Sequence, residues 1–464
     1  MKRISKLFIV FVIVAMILSL ISCAKSGLNS SAPGSSDGGY YSPSYDGSYG
    51  GSKGDGFMNG DIMAPSDDMA GDMAPEEPGG SVEGGESSGE GDVDKPVDQP
   101  VILPSGMITA GAWNDNTYYS AWLDLFTQSS DKNGKFYQYT TPYYNWGFNS
   151  LNRIKVTVQN GENNVAGANV YASDSQGNQL FAAVTDANGV AYLFTDGSEG
   201  NITVKGGDQS VTLPFTADDR EIIVPLGTDV NKLDVIEIML LVDVTGSMGD
   251  EISFLKAELA DVINRISQNN NNTVIKLAML FYRDTEDRVP FDYYDFTDVT
   301  SSKGLNAQQT ALNKQYAEGG GDYPEAVDHA LEIAVNKQWS TGATTKIIFH
   351  VLDAPAHEGA KYAEKLVNAT KIAAEKGIRL CPIICSGAQG STEYIMREAA
   401  IYTGGTFIFV TDDSGIGGSH HDPELPNVTV ELLNSLMVRL VNGYHTGNFA
   451  PPTYWKEDPN LNNK

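Results

Sequence analysis

Apolar and polar positions fall into distinct regimes along the chain. Leu7 to Ile21 is an unbroken apolar run. Residues 24 to 105 carry almost no aliphatic positions and predict a disordered tether, because such a segment cannot bury enough apolar surface to offset its ordering entropy. From Leu151 to Gly227 short alternating stretches such as Ile154-Lys155-Val156-Thr157-Val158 recur between turn clusters at Asn160-Gly161, Ser175-Gln176-Gly177-Asn178 and Asp186-Ala187-Asn188-Gly189. That spacing predicts the strands of a small all-β sandwich. Beyond Leu233 the period changes. Apolar strands are expected at 235–242, 274–281, 346–352, 378–385 and 406–410, and helices at 252–266, 326–334, 360–375, 393–402 and 428–441. Alternating strands and helices predict a Rossmann-like α/β domain with a mostly parallel central sheet and helices on both faces. Ligands of such sheets sit beyond the carboxyl ends of the strands.

The chain is therefore read as multidomain: a leader at 1–23, a linker at 24–105, an aromatic-rich segment at 106–150, the sandwich at 151–230, the α/β domain at 231–445 and a tail at 446–464. The aromatic segment holds Trp113, Trp122 and Trp146 among many tyrosines. It serves either as a carbohydrate or peptide platform or as a wedge packed on its neighbours; the large burial per aromatic side chain favours the wedge.

Composition narrows the partners. The 464 residues include 31 Lys+Arg and 59 Asp+Glu, a net charge of -28. Nucleic acid is not expected, since phosphate binding needs clustered cations. Cations, or a partner met through a cation, fit better. The three cysteines exclude a disulfide framework. Cys381 and Cys385 are expected as buried free thiols, since two residues four apart on a strand lie too far along it to bridge.

Lys2, Arg3 and Lys6 precede the apolar run, which ends in Leu20-Ile21-Ser22-Cys23. The run has the length of a signal-peptide core. Its end resembles the bacterial lipobox, which implies export, lipidation of Cys23 and an extracytoplasmic protein anchored to the cell membrane through lipid. The linker holds 17 Gly and 15 acidic residues against three Lys, and like-charge repulsion extends such a chain. The stretch from Val165 to Ala191, with Thr185-Asp186 and Gly189 at a turn, resembles carboxypeptidase regulatory-like (prealbumin-type) sandwiches. The resemblance implies a spacer or interaction module.

Chemistry concentrates after the first apolar strand of the α/β domain, in Asp243-Val244-Thr245-Gly246-Ser247-Met248-Gly249. A carboxylate and two hydroxyls at alternate positions can converge on one point, and hard oxygens suit a hard divalent cation such as Mg²⁺, with Mn²⁺ or Ca²⁺ as alternatives. The same three residues can instead cap the following helix. Asp353 ends a second strand at the same edge. Arg283 and Asp284 lie near that edge, as site lining or as an ion pair, and His357 is expected at the rim. His420 and His421 lack a placed third ligand for zinc.

These residues resemble the von Willebrand factor A domain and its metal-ion-dependent adhesion motif, Asp-x-Ser-x-Ser, with Thr245 in place of one Ser and Asp353 matching the family's later Asp. The family's second loop usually offers a Thr after two glycines; here Gly321 stands in its place. Asp322 is the substitute, or else it caps the next helix. Phe281-Tyr282-Arg283-Asp284, Phe296-Thr297-Asp298, Gly320 to Glu325 and Asp353 to His357 resemble the A domains joined to alpha-kinases, and also those of many bacterial exported proteins. The resemblance implies a binding or adhesion protein whose partner supplies a carboxylate to the bound cation. The alternative is a scaffold subunit of a cell-envelope assembly with a structural or inactive metal site. No enzyme is expected, because Gly-x-Ser-x-Gly, His-Glu-x-x-His and Gly-x-x-x-x-Gly-Lys are all absent from the α/β domain.

Overall fold

The strand Leu233–Asp243 sits at the centre of the α/β architecture and is buried from Ile236 onward. It has a paired strand on each edge and packed helices on each face, so its sequence is almost continuously apolar. Side chains alternate between two cores. Ile238, Leu240 and Val242 face the helices Gly249–Asn269 and Leu433–Thr446, while Met239 and Leu241 face Val327–Val335, Ala360–Glu375 and Gly390–Thr403. The exception, Glu237, is also buried; its carboxylate accepts from Lys276 Nζ at 3.3 Å and from Ser340 N at 2.8 Å. The computed structural model describes residues 107–130, 132–321, 323–414, 420–421, 423, 425–426 and 428–462. All belong to one compact unit, Asp94–Lys464. The leader, Cys23 and the linker lie outside the described residues. Among the described residues no helix is long and apolar enough to cross a membrane.

The sheet has eight strands, in the order Phe291–Asp298, Val274–Tyr282, Leu233–Asp243, Ala343–Leu352, Ile378–Ile384, Phe407–Val410, Thr109–Trp113 and Glu431–Leu432. The five from Val274–Tyr282 to Phe407–Val410 run parallel. The other three pair antiparallel, so the sheet is mixed rather than mostly parallel. None of those three is expected as a strand from the sequence: Glu431–Leu432 falls inside the helix expected at 428–441, which begins only at Leu433. Phe291–Asp298 is a half-exposed edge with four polar residues among its eight. Thr109–Trp113 is four small residues ending in a tryptophan, Thr-Ala-Gly-Ala-Trp.

That first strand moves the aromatic segment into the α/β domain. Ala110 pairs with Val410 and Thr109 with Leu432. The chain then wraps the helix Gly390–Thr403: Tyr139 stacks on Tyr394 at 4.1 Å, and Phe148 meets Tyr402 edge-on at 5.2 Å. Trp122 is fully buried, and its Nε1 donates to Ser150 Oγ at 2.8 Å. Arg397, 1% exposed, donates to both oxygens of Asp115 and to Glu393 at 2.9 Å.

Residues 153–225 form two four-stranded sheets. One joins Asn163–Asn164, Arg153–Asn160, Val190–Phe194 and Glu221–Pro225; the other joins Gln179–Val184, Asn169–Asp174, Gly200–Gly206 and Gln209–Phe215. Ile154, Val156 and Val158 are buried, as their alternation predicts. Phe194 stacks on Tyr402 at 4.6 Å, which ties these sheets to the helix Gly390–Thr403. In chain order the small sheets fall between Thr109–Trp113 and Leu233–Asp243, two strands of one larger sheet. They are an insertion in the α/β domain.

The buried Glu398 makes stability pH-dependent. Its Oε1 accepts from Ser150 at 3.0 Å, and burial pushes its carboxyl up to about 8 against the pull of Ser150, Arg397 and the Tyr394 hydroxyl. The folded state keeps a proton that the unfolded chain releases near about pH 4.3, so Glu398 erodes stability as pH rises from there towards 8. Glu398→Gln is expected to reduce the fall in unfolding free energy between pH 5 and pH 8. Urea melts at those two values check it, and an unchanged difference would refute it.

Candidate functional site

Adjacent parallel strands end together at one edge of the sheet. Val242 pairs with Val351 and Asp243 with Tyr282, so the loops after Asp243, Tyr282 and Leu352 emerge side by side. Asp243 is completely buried. Its Oδ1 accepts from Thr245 N at 2.9 Å and Thr245 Oγ1 at 2.7 Å, while Oδ2 is buried without a hydrogen-bond partner. Ser247 donates to Asp353, itself 5% exposed. Gly246 and Ser247 are exposed, so the group opens to solvent there.

The hydroxyls are not helix caps. Neither the 3-10 turn Gly246–Met248 nor the helix Gly249–Asn269 has a side-chain capping bond at its start. Thr245 and Ser247 direct their protons to Asp243 and Asp353 instead, which leaves hydroxyl lone pairs as acceptor positions.

The neighbouring loop closes over Thr245. Gly246 N donates to Gly319 O at 3.2 Å, and Gly320 N donates to Asp287 Oδ2 at 3.0 Å. Gly319 and Gly320 have φ of +80° and +71°. A Cβ on Gly320 would come within 2.7 Å of Glu325 Oε1 and 3.2 Å of Thr245 Cβ. Both glycines are needed, for conformation and for space. A Cβ on Gly321 would meet nothing within 4 Å. Asp322, the candidate substitute, lies outside the described residues.

Arg283 serves the backbone. Its guanidinium donates to the carbonyls of Glu318 at 2.9 Å, Tyr316 at 3.2 Å and Val289 at 3.4 Å, and its ion pair is with Glu318 at 3.8 Å. Asp284 Oδ1 accepts from Thr285 N at 2.7 Å and lies 3.6 Å from His357 Nε2. His357 stacks on Tyr362 at 5.3 Å. His420 and His421 pair with Asp412 and Glu393, each at 2.6 Å.

Two carboxylates that the sequence does not single out as site residues join the group. Glu325 is 3% exposed, with Oε2 unpartnered, and its N donates to Pro355 O at 3.0 Å, tying its loop to the one after Asp353. Glu251 is buried, with Oε1 accepting from Ser386 at 3.2 Å and Oε2 unpartnered. Their burial follows from loops that meet only in the folded chain. Burial pushes the Glu325 carboxyl up to about 9, with Asp243, Asp284, Asp287 and Asp353 adding to it. Asp243 is pushed up to about 7, again by burial first, against the two bonds from Thr245. The edge is thus a concentration of buried carboxyl groups whose ionised forms lack compensating charge, an arrangement that favours a bound cation. Among the described residues no three His, Cys, Asp or Glu side chains converge closely enough to hold a metal alone. A cation here would rely on hydroxyl oxygens and water as well. The orphaned Asp243 Oδ2 and the uncommitted hydroxyl lone pairs fit a hard divalent ion.

Residues 237–411 match the von Willebrand factor A domain family. The α/β domain is a von Willebrand factor A domain, and its sheet also includes strands outside the matched residues. A region of 223 residues, 44% of this chain, is 26% identical to an ariadne-like RING finger protein of Acanthamoeba polyphaga mimivirus. The match covers 20% of that relative's length. Among solved structures, the pilus adhesin SpaC from Lactobacillus rhamnosus GG in its open conformation is similar over 54% of this chain and 32% of its own, with 11% identity and a TM-score of 0.30. Another crystal structure of that adhesin matches 45% of this chain and 29% of its own, with 12% identity and a TM-score of 0.30.

Proposed function

We propose that this protein is a binding protein anchored at the cell membrane, extracytoplasmic, whose A domain takes a protein partner through a divalent cation. Asp243, Thr245, Ser247 and Asp353 would hold the ion, with Mg²⁺ the best fit. The ion would supply an open coordination position for a carboxylate of the partner, and it explains how so acidic a protein can meet an acidic group. The observation that carries this reading is the buried Asp243 Oδ2, left without a partner beside two hydroxyls that cap no helix. Arg283 positions the loop over the site, and Asp284 with His357 lies at its rim. Lipid on Cys23 and the acidic linker would hold the folded part away from the membrane. The two small sheets are read as a prealbumin-type sandwich carried on the side of the A domain.

Calorimetric titration of the cation-free protein with Mg²⁺, Mn²⁺ and Ca²⁺ tests the site. One saturable site is expected, and no saturation with any of the three would refute the reading. A cation that raises the melting temperature without enabling partner capture would favour a scaffold role instead.

Gly321→Thr probes the departure from the family pattern. The open space around Gly321 admits the side chain, and Gly321, unlike its two predecessors, does not have a positive φ. A hydroxyl added there is expected to tighten Mg²⁺ binding several-fold in the same titration. Unchanged or weaker binding would show that this position does not reach the ion.

A further inference from the structure

A second binding cleft opens where the small sheets meet the end of the α/β sheet opposite the cation edge. We propose that this cleft, with Lys232, Lys337, Lys346, Lys376 and Arg379 on its walls, binds a small molecule bearing two or more phosphate groups.

The cleft is about 440 Å³, within the usual range of small-ligand sites. Five of its lining residues are basic and two, Asp186 and Glu375, are acidic. That balance reverses the chain as a whole, where 59 acidic residues outnumber 31 basic ones. A concave surface of one sign focuses its potential on the space it encloses.

The cations are held mostly by groups that leave their charge uncompensated. Lys346 Nζ donates to Lys376 O at 3.0 Å, and Lys376 Nζ to Val335 O at 2.8 Å. Arg379 reaches the carbonyls of Thr403 at 2.6 Å and of Val184 at 3.4 Å, the latter across the seam. Lys337 Nζ stands 3.7 Å above the Tyr293 ring. The Lys232 stem lies against Gly167, where an added Cβ would fall 2.9 Å from Lys232 Cδ. An ammonium has three donors and a guanidinium five, so carbonyl bonds of this number leave donors for a ligand. The acids compensate little. Asp186 Oδ1 accepts from the backbone of Asn188 and Val190 in its own turn, and Glu375 is exposed. Glu237, across from Lys346 on the neighbouring strand, is engaged by Lys276 and Ser340. Burial lowers the affinity of Lys232 and Lys346 for their protons, with Asp186 and Glu237 respectively opposing it, and a bound anion would add to that opposition. Several dispersed cations around one cavity suit a multivalent oxyanion better than a single carboxylate.

The test uses the full chain, dialysed free of divalent ions and kept in phosphate-free buffer. Inorganic pyrophosphate is titrated by calorimetry, with sulfate as a second arm. One saturable site for pyrophosphate is expected, at least tenfold weaker in Lys337→Gln/Lys376→Gln and within twofold of wild type in Lys303→Gln, an exposed lysine outside the cleft. If the double variant does not unfold cooperatively, Lys337→Gln alone replaces it and should bind at least threefold more weakly. Saturable binding of sulfate that matches pyrophosphate would overturn the assignment to phosphate groups. Absence of saturable binding, or equal binding by the cleft and control variants, would overturn the cleft. With no divalent ion present, neither result bears on the cation edge.

Discussion

Asp243→Ala is expected to abolish saturable Mg²⁺ binding while the protein remains folded. Asp243 is the deepest carboxylate of the group, and its Oδ2 has no partner in the chain. A charge pair about 4 Å apart at an effective dielectric near 20 is worth roughly 4 kcal/mol, about a thousandfold in affinity. The fold should tolerate the change, because a desolvated carboxylate is removed along with two hydrogen bonds from Thr245. Asp243→Asn sharpens the result: it keeps an acceptor for Thr245 and loses only the charge. Calorimetry gives the affinity, and circular dichroism checks the fold. A variant that binds Mg²⁺ within tenfold of wild type would remove Asp243 from the site.

Arg397→Met should cost about 3–5 kcal/mol of stability, the usual consequence of stranding buried charges. Arg397 stands between Asp115, 3% exposed, and Glu393, fully buried. Glu393 would keep Lys135 at 2.7 Å and His421 at 2.6 Å. Asp115 would keep Trp113 Nε1 at 3.1 Å, a neutral donor, and lose its charged partner. Adding Asp115→Asn to Arg397→Met should therefore recover part of the loss. Denaturant midpoints of the wild type, both single variants and the double variant measure the coupling. A loss under about 1 kcal/mol in Arg397→Met would mean that the aromatic packing alone holds this segment.

What the sequence disclosed depended on whether a feature is contiguous. Asp243, Thr245 and Ser247 follow an apolar strand within five residues, so both the strand and the oxygen-rich loop are visible together. Asp353 is visible for the same reason, at the end of Lys346 to Leu352. Glu325 is not, because its burial depends on two positive-φ glycines that turn the preceding loop back over Thr245. Glu251 reads as an ordinary acidic residue in the first turn of a helix. The missing threonine points by sequence to Asp322, while the described neighbour that reaches inward is Glu325. Thr109–Trp113 is not visible because its partners lie some 300 residues onward, and four small residues before a tryptophan carry no period. Without that strand in the sheet, the small sheets read as a separate domain ahead of the α/β domain and not as an insertion in it.

The placement of Thr109–Trp113 has a mechanical consequence. A pull arriving from the N-terminal side enters the A domain through this strand, which is hydrogen-bonded antiparallel to Phe407–Val410 and Glu431–Leu432. Tension between that strand and a load applied at the loop after Asp243 would run through the eight-stranded sheet. The small sheets, looped out between its strands, would carry little of it. They are off the load path between Thr109–Trp113 and the loop at Asp243, so they can yield without separating the two.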